Sequence, residues 1–216
     1  MAEINETADT KTASIILHNA FFYDFVVWLA MRGRGSEFRA KTLQLARLKP
    51  GESVLDVGCG TGTLAIKAKK FLGPSSHVQG MDASPEMIAR AKKKALKASL
   101  EIEFVDGRAE SLPFPDGKFD AALATLMLHH LAPKTRRACI AEIRRILKPG
   151  GRVLIVDFAP SVPLERKDLI DLLHRRHGNL KFGELETLAR EAGLTIIESG
   201  AFGMKDLQFV LARLDR

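Results

Sequence analysis

Two aspartates and the glycine cluster between them set out the chemistry this chain can do. Asp56 falls in the apolar run Val54–Val57. Gly58, Gly60 and Gly62 follow at every second position, with Cys59 and Thr61 between them. Asp82 comes about twenty residues after the glycines, in HVQGMDAS. Glycine has no Cβ, so a ligand can approach its backbone closely and φ can be positive. The carboxylate of Asp56 ahead of such a turn repels phosphate and attracts an ammonium-bearing group. A carboxylate at the end of a second strand can accept two hydrogen bonds from a ribose diol. A dinucleotide fingerprint needs glycine at the first, third and sixth positions, but the sixth from Gly58 is Thr63. The phosphate-cradling loop needs Lys followed by Ser or Thr, and none follows here. The ligand that fits is one without a pyrophosphate on this turn. It carries an amine and a ribose, as S-adenosylmethionine (SAM) does.

The resemblance carried by these residues extends along the chain. VLDVGCGTG resembles the first motif of class I SAM-dependent methyltransferases. DGRAESLPFPDGKFD and RRILKPGGRVLIVDF resemble that family's following motifs, in the same order. The detailed likeness is to the ubiquinone/menaquinone C-methyltransferase-like group, over roughly Lys49 to Phe158, about half the chain. It implies SAM as cofactor and a cofactor site built from Asp56, Gly58, Cys59, Gly60, Thr61, Gly62, Asp82, Ala83, Arg108, Ala109 and Thr125. Within it the glycine turn and Thr125 meet the methionine portion, Asp82 the ribose, and the Ala109 N–H the adenine ring. Arg108 departs from the pattern. The family commonly has an acid there that accepts from the adenine amino group, and a guanidinium cannot accept. A backbone carbonyl, water or Asp106 would then take that role, or Arg108 would stack on the adenine face.

The implied activity is methyl transfer by in-line displacement to a small-molecule acceptor, quinone-, phenol- or lipid-like. It needs no metal. If the acceptor atom is a carbon of a phenolic ring, a base must first draw off a proton. His130 and Tyr23 are the candidates, with His130 favoured over its neighbour His129. A loop histidine bonded to backbone is the plainer reading of either. Three other functions stay open. An RNA or tRNA methyltransferase is prompted by the basic charge, but basic patches interleaved with aromatics are missing and nucleic acid is not the expected partner. An NAD-dependent oxidoreductase is disfavoured by Thr63. A non-catalytic SAM-binding protein is the third.

The elements that must position these groups are legible from periodicity. Val54–Val57 reads as a buried strand. Leu64, Ala65, Ala68, Phe71 and Leu72 recur at helical spacing after the turn. Ser84-Pro85 starts a further helix to about Ala98, whose Lys92, Lys93, Lys94 and Lys97 read as a solvated face. Glu101–Val105 and the small apolar run Ala121–Thr125 read as strands. Pro133–Leu147 reads as a helix with Ile140, Ile143 and Leu147 inward and Arg136, Arg137, Arg144 and Arg145 outward. VLIVDF, LTIIES and LQFVLARL read as strands around a helix over Glu184–Ala192. Strands alternating with helices imply an α/β fold with a doubly wound, mostly parallel sheet. By resemblance it is Rossmann-like and seven-stranded, with one antiparallel strand near the C-terminus. Residues 49–216 form the SAM-binding domain in this reading. Residues 1–48 form a helical, substrate-side lid. Its Ala13–Met31 stretch holds the only Tyr and Trp, Tyr23 and Trp28. His174 and His177 in the connection after VLIVDF join it over the acceptor.

Composition bounds the rest. The chain has 216 residues, 46% of them hydrophobic, enough for a full core and against disorder. Net charge is +7, read as a solvated basic surface spread over several helices. Cys59 and Cys139 are the only cysteines, too few and too far apart for a disulfide scaffold or zinc site. With no signal-like segment and no membrane-length apolar stretch, the expectation is a cytoplasmic protein, and a homodimer is left open.

Overall fold

Successive side chains point to opposite faces of a strand, so the apolar runs of the central strands bury both faces. The computed structural model describes residues 33–158, 180, 183–204 and 207–216. Tyr23, Trp28, His174 and His177 lie outside the described residues. Seven strands form one sheet in the order β3-β2-β1-β4-β5-β7-β6. They are β1 (Ser53–Val57), β2 (His77–Asp82), β3 (Glu103–Asp106), β4 (Phe119–Thr125), β5 (Leu147–Phe158), β6 (Thr195–Ala201) and β7 (Leu207–Arg213). Strands β1 to β5 pair in parallel, and β7 runs antiparallel to both its neighbours. The doubly wound, mostly parallel sheet and its single reversed strand are as the sequence implies. Val54, Val78, Leu123, Leu154 and Leu211 point to one apolar layer; Leu55, Val57, Ala122, Ile155 and Val210 point to the other. Such two-sided burial requires helices on both faces.

The first layer is covered by α1 (Gly35–Leu45), α2 (Thr63–Leu72) and α3 (Pro85–Lys97), and the second by α4 (Pro133–Ile146) and α5 (Glu184–Glu191). Phe38 of α1 packs against Phe202, ring centroids 5.1 Å apart. Ser84 caps α3, its Oγ accepting from the Met87 N–H at 3.3 Å, with Pro85 in the first turn. Phe71 and Arg136 differ from their expected places. Phe71 is 59% exposed. The buried stripe of α2 runs through Leu64, Ala65, Ala68 and Leu72, and Phe71 sits off it, lining a surface groove with Ala40, Leu43 and Lys70. Arg136 is only 1% exposed rather than outward. It is three, four and seven residues before Cys139, Ile140 and Ile143, so it shares their buried face. Its guanidinium donates to the Leu128 carbonyl and to Glu184, both at 2.9 Å. A buried cation is tolerated there because it is paired.

Candidate active site

Strand parity brings the two aspartates to one side of the sheet. Val54 and Val78 face the layer of α1–α3, so Asp56 and Asp82, at even offsets from them, face it too. Asp56 is 1% exposed. It accepts the N–H of Ala65 in the first turn of α2, and among the described residues nothing donates to its Oδ2. Burial pushes its carboxyl up to about 7; the Ala65 N–H opposes that rise and the nearby Asp82 charge adds to it. A cationic donor at Oδ2 would both satisfy the atom and ionise it.

Asp82 ties the turn together. Its Oδ2 accepts from the Gly60 N–H at 2.8 Å and its Oδ1 from the Ser84 N–H at 3.0 Å. A carboxylate offers about four acceptor sites, so capacity for a diol remains. The three glycines all have positive φ, 68°, 52° and 73° for Gly58, Gly60 and Gly62. Two are also fixed by packing. A Cβ on Gly58 would meet the Met127 Cβ at 2.9 Å, and one on Gly62 would meet Phe104 at 2.7 Å and Ala91 at 2.8 Å. The Gly62 N–H closes the turn on the Cys59 carbonyl at 2.9 Å, and the Cys59 N–H reaches back to Met81. The Cys59 side chain is buried, and burial pushes its thiol up, away from thiolate chemistry. Thr61 is buried, and its Oγ1 accepts from Lys94 Nζ at 2.6 Å. Lys94 therefore leaves the solvated row expected of it, because its long side chain can reach from α3 to the turn.

The remaining site residues surround this unit. Ala83 is exposed beside Asp82. Asp106 pairs in register with Asp82, and Ala109, buried, follows in the next loop. The Arg108 side chain is 80% exposed and its guanidinium is held by Glu110, Nε to Oε1 at 2.6 Å. Thr125 ends β4, half-buried, and Met127 carries the chain against Gly58.

Histidine placement separates two neighbours, of which the sequence reading favours His130 as the base. His130 is exposed, whereas His129 is 8% exposed and its Nδ1 lies 2.6 Å from Asp157 Oδ1. Asp157 is buried at the end of β5, 28 residues away, and no spacing rule links the two. The Asp157–His129 pair and the buried Arg136 are the features of this end of the sheet that sequence reasoning missed.

The chain resembles known proteins in sequence and in fold. A family model described as a methyltransferase domain matches residues 54–151. The demethylmenaquinone methyltransferase of Thermus thermophilus is 36% identical over 138 residues, covering 64% of this chain and 61% of that protein. The ubiquinone/menaquinone biosynthesis C-methyltransferase UbiE of Burkholderia ambifaria is 32% identical over 157 residues, covering 72% of this chain and 64% of that protein. Residues 54–151 carry a methyltransferase domain. A SAM-dependent methyltransferase structure from Aquifex aeolicus shares the fold of this domain. It has a TM-score of 0.68 and 23% identity over 82% of this chain and 89% of that one. The matches span about three fifths of the length of the curated relatives, 61% and 64%.

The methyltransferase domain fits its cofactor on two observations of its own. The orphaned Asp56 Oδ2 suits the ammonium of SAM, and the Asp82 carboxylate suits its ribose. Asp56 also fixes a pH dependence. Its folded value of about 7 stands above the ordinary range near 3.9. The ligand-free fold therefore loses stability as pH rises from about 4 through about 7, where Asp56 is forced to ionise. Binding of an ammonium has the opposite sign. SAM affinity is expected to rise about tenfold per unit up to about pH 7 and then level off. Calorimetric titration between pH 5.5 and 8 checks this, with Asp56→Asn giving a weaker, flat profile. A flat wild-type profile would take Asp56 away from the ammonium.

Proposed function

We propose that this chain transfers the methyl group of SAM to a carbon of a small aromatic acceptor related to the reduced quinones. The carrying observation is the pair of carboxylates, Asp56 with its orphaned oxygen and Asp82 bonded to Gly60, on one face of the sheet. The acceptor class is supported by the names of the two relatives, which act in menaquinone and ubiquinone synthesis. SAM supplies a methyl already activated on a sulfonium. The chain's own residues bind and orient. Asp56 meets the ammonium, Asp82 the ribose, the Ala109 N–H the adenine, and Gly58–Gly62 with Thr125 the methionine portion. Alignment for in-line displacement and exclusion of water then supply most of the rate. Within the described residues no helix is long and apolar enough to cross a membrane.

Incubation with methyl-labelled SAM and reduced 1,4-dihydroxynaphthalene tests this reading. The expected product carries the label on a ring carbon, one methyl per S-adenosylhomocysteine formed. Label on oxygen would change the acceptor atom. Label found only in added RNA, with affinity falling steeply with salt, would favour an RNA methyltransferase instead.

A further inference from the structure

We propose that His129, held by Asp157, is the base that takes the acceptor's hydroxyl proton. This rests on the reading of an aromatic hydroxyl-bearing acceptor. Four observations carry it. The first is position. The short 3-10 turn Leu128–His130 directly follows β4, and the Met127 side chain just before it lies over Gly58 of the cofactor turn. The imidazole thus stands at the end of the sheet where the methyl-bearing part of the cofactor is to be held.

The second is rigidity. Asp157 Oδ2 accepts from the N–H groups of Leu128 at 2.7 Å and His129 at 3.3 Å, and its Oδ1 from the Phe158 N–H at 2.8 Å. From the other side Arg136 Nε grips the Leu128 carbonyl while Glu184 holds Nη1. One buried anion and one buried cation clamp two residues of the turn, Leu128 and His129. The turn takes two buried charges, each costly to desolvate, and both fix the place of the imidazole.

The third is the tautomer. Asp157 accepts from three N–H groups besides the imidazole, as an ionised, acceptor-only carboxylate does. Its partner Nδ1 must then carry hydrogen, which leaves basicity to Nε2. The fourth is orientation. The His129 ring is set edge-to-face with Phe158 at 5.3 Å and lies 3.9 Å from the His130 ring. An aromatic wall of this kind both fixes the ring and suits a flat acceptor.

The step balances as follows. The acceptor O–H bond breaks, its electron pair stays on oxygen, and the proton forms an N–H bond at Nε2 of His129. The electron-rich ring carbon then forms its bond to the methyl as the methyl–sulfur bond breaks, that pair remaining on sulfur. The ring carbon loses its hydrogen as a proton, the oxygen regains one, and His129 passes the surplus proton to solvent. Asp157 is a positioning residue throughout, stabilising the imidazolium.

Two measurements test the assignment. In the ligand-free protein, nitrogen-15 NMR of the His129 ring at pH 8 should show hydrogen on Nδ1 and none on Nε2. Asp157→Asn should abolish that preference. In the SAM-saturated enzyme with reduced 1,4-dihydroxynaphthalene, His129→Gln should lower kcat about a hundredfold or more. KM should stay within about threefold and SAM affinity within about twofold. Asp157→Asn should lower kcat by a smaller factor. Hydrogen on Nε2, or His129→Gln with at least half the wild-type kcat, would overturn the proposal. So would a loss of SAM affinity matching the loss of kcat, which would place His129 at the cofactor. Failure of the wild-type enzyme to methylate the naphthalene would count against the acceptor class, and the NMR result would still decide the tautomer on which the base depends.

Discussion

Alanine at position 62 is expected to cost the fold about 2–4 kcal/mol, whether or not any ligand is present. Gly62 has φ of 73°, a region L-residues enter at a cost of about 1–2 kcal/mol. The added Cβ would also come within 2.8 Å of the Ala91 Cβ and 2.7 Å of the Phe104 ring. Phe104 cannot swing away freely, because the same ring lies over Gly80, where a Cβ would again approach to 2.7 Å. Ala91 is anchored on α3 with no side chain to rotate. Urea unfolding of Gly62→Ala measures the sum. A loss below about 0.5 kcal/mol would show that α2 and α3 separate cheaply and that the glycine is there only for the ligand.

Asp82→Ala is expected to weaken SAM binding by about 1.5–3 kcal/mol, roughly ten- to a hundredfold. Two losses add. The charge-assisted hydrogen bonds to the ribose disappear, and the N–H groups of Gly60 and Ser84 lose the acceptor that now fixes them. Asp82→Asn keeps an acceptor oxygen and should fall between wild type and alanine. Calorimetry on variants shown to be folded by circular dichroism measures this. Unchanged affinity in Asp82→Ala would remove the residue from the site.

The order of elements was readable because each rests on local rules. The apolar run Val54–Val57 and the Ser84-Pro85 helix start need no knowledge of distant contacts. The glycine turn with Asp56 and Asp82 was readable for the same reason, as spacing along one strand–turn–helix–strand unit. What stayed hidden depends on partners far apart in sequence. Gly62 looked like a ligand-approach residue, and only the fold shows Phe104 and Ala91 against it. Arg136 looked solvated because arginine usually is, and Glu184, 48 residues on, is what allows its burial. His130 was favoured over His129 because Asp157, which holds His129, lies on the next strand, where no spacing rule links the two. Lys94 likewise reads as surface until Thr61 is seen beneath it.

Titration of SAM into the folded chain at pH 8, with Asp56→Asn and Asp82→Ala alongside, tests the cofactor site most directly. One molecule is expected to bind per chain, with clear loss of affinity in each variant. No binding to the wild type, or binding that both variants retain in full, would contradict a SAM site built on the glycine turn and its two aspartates.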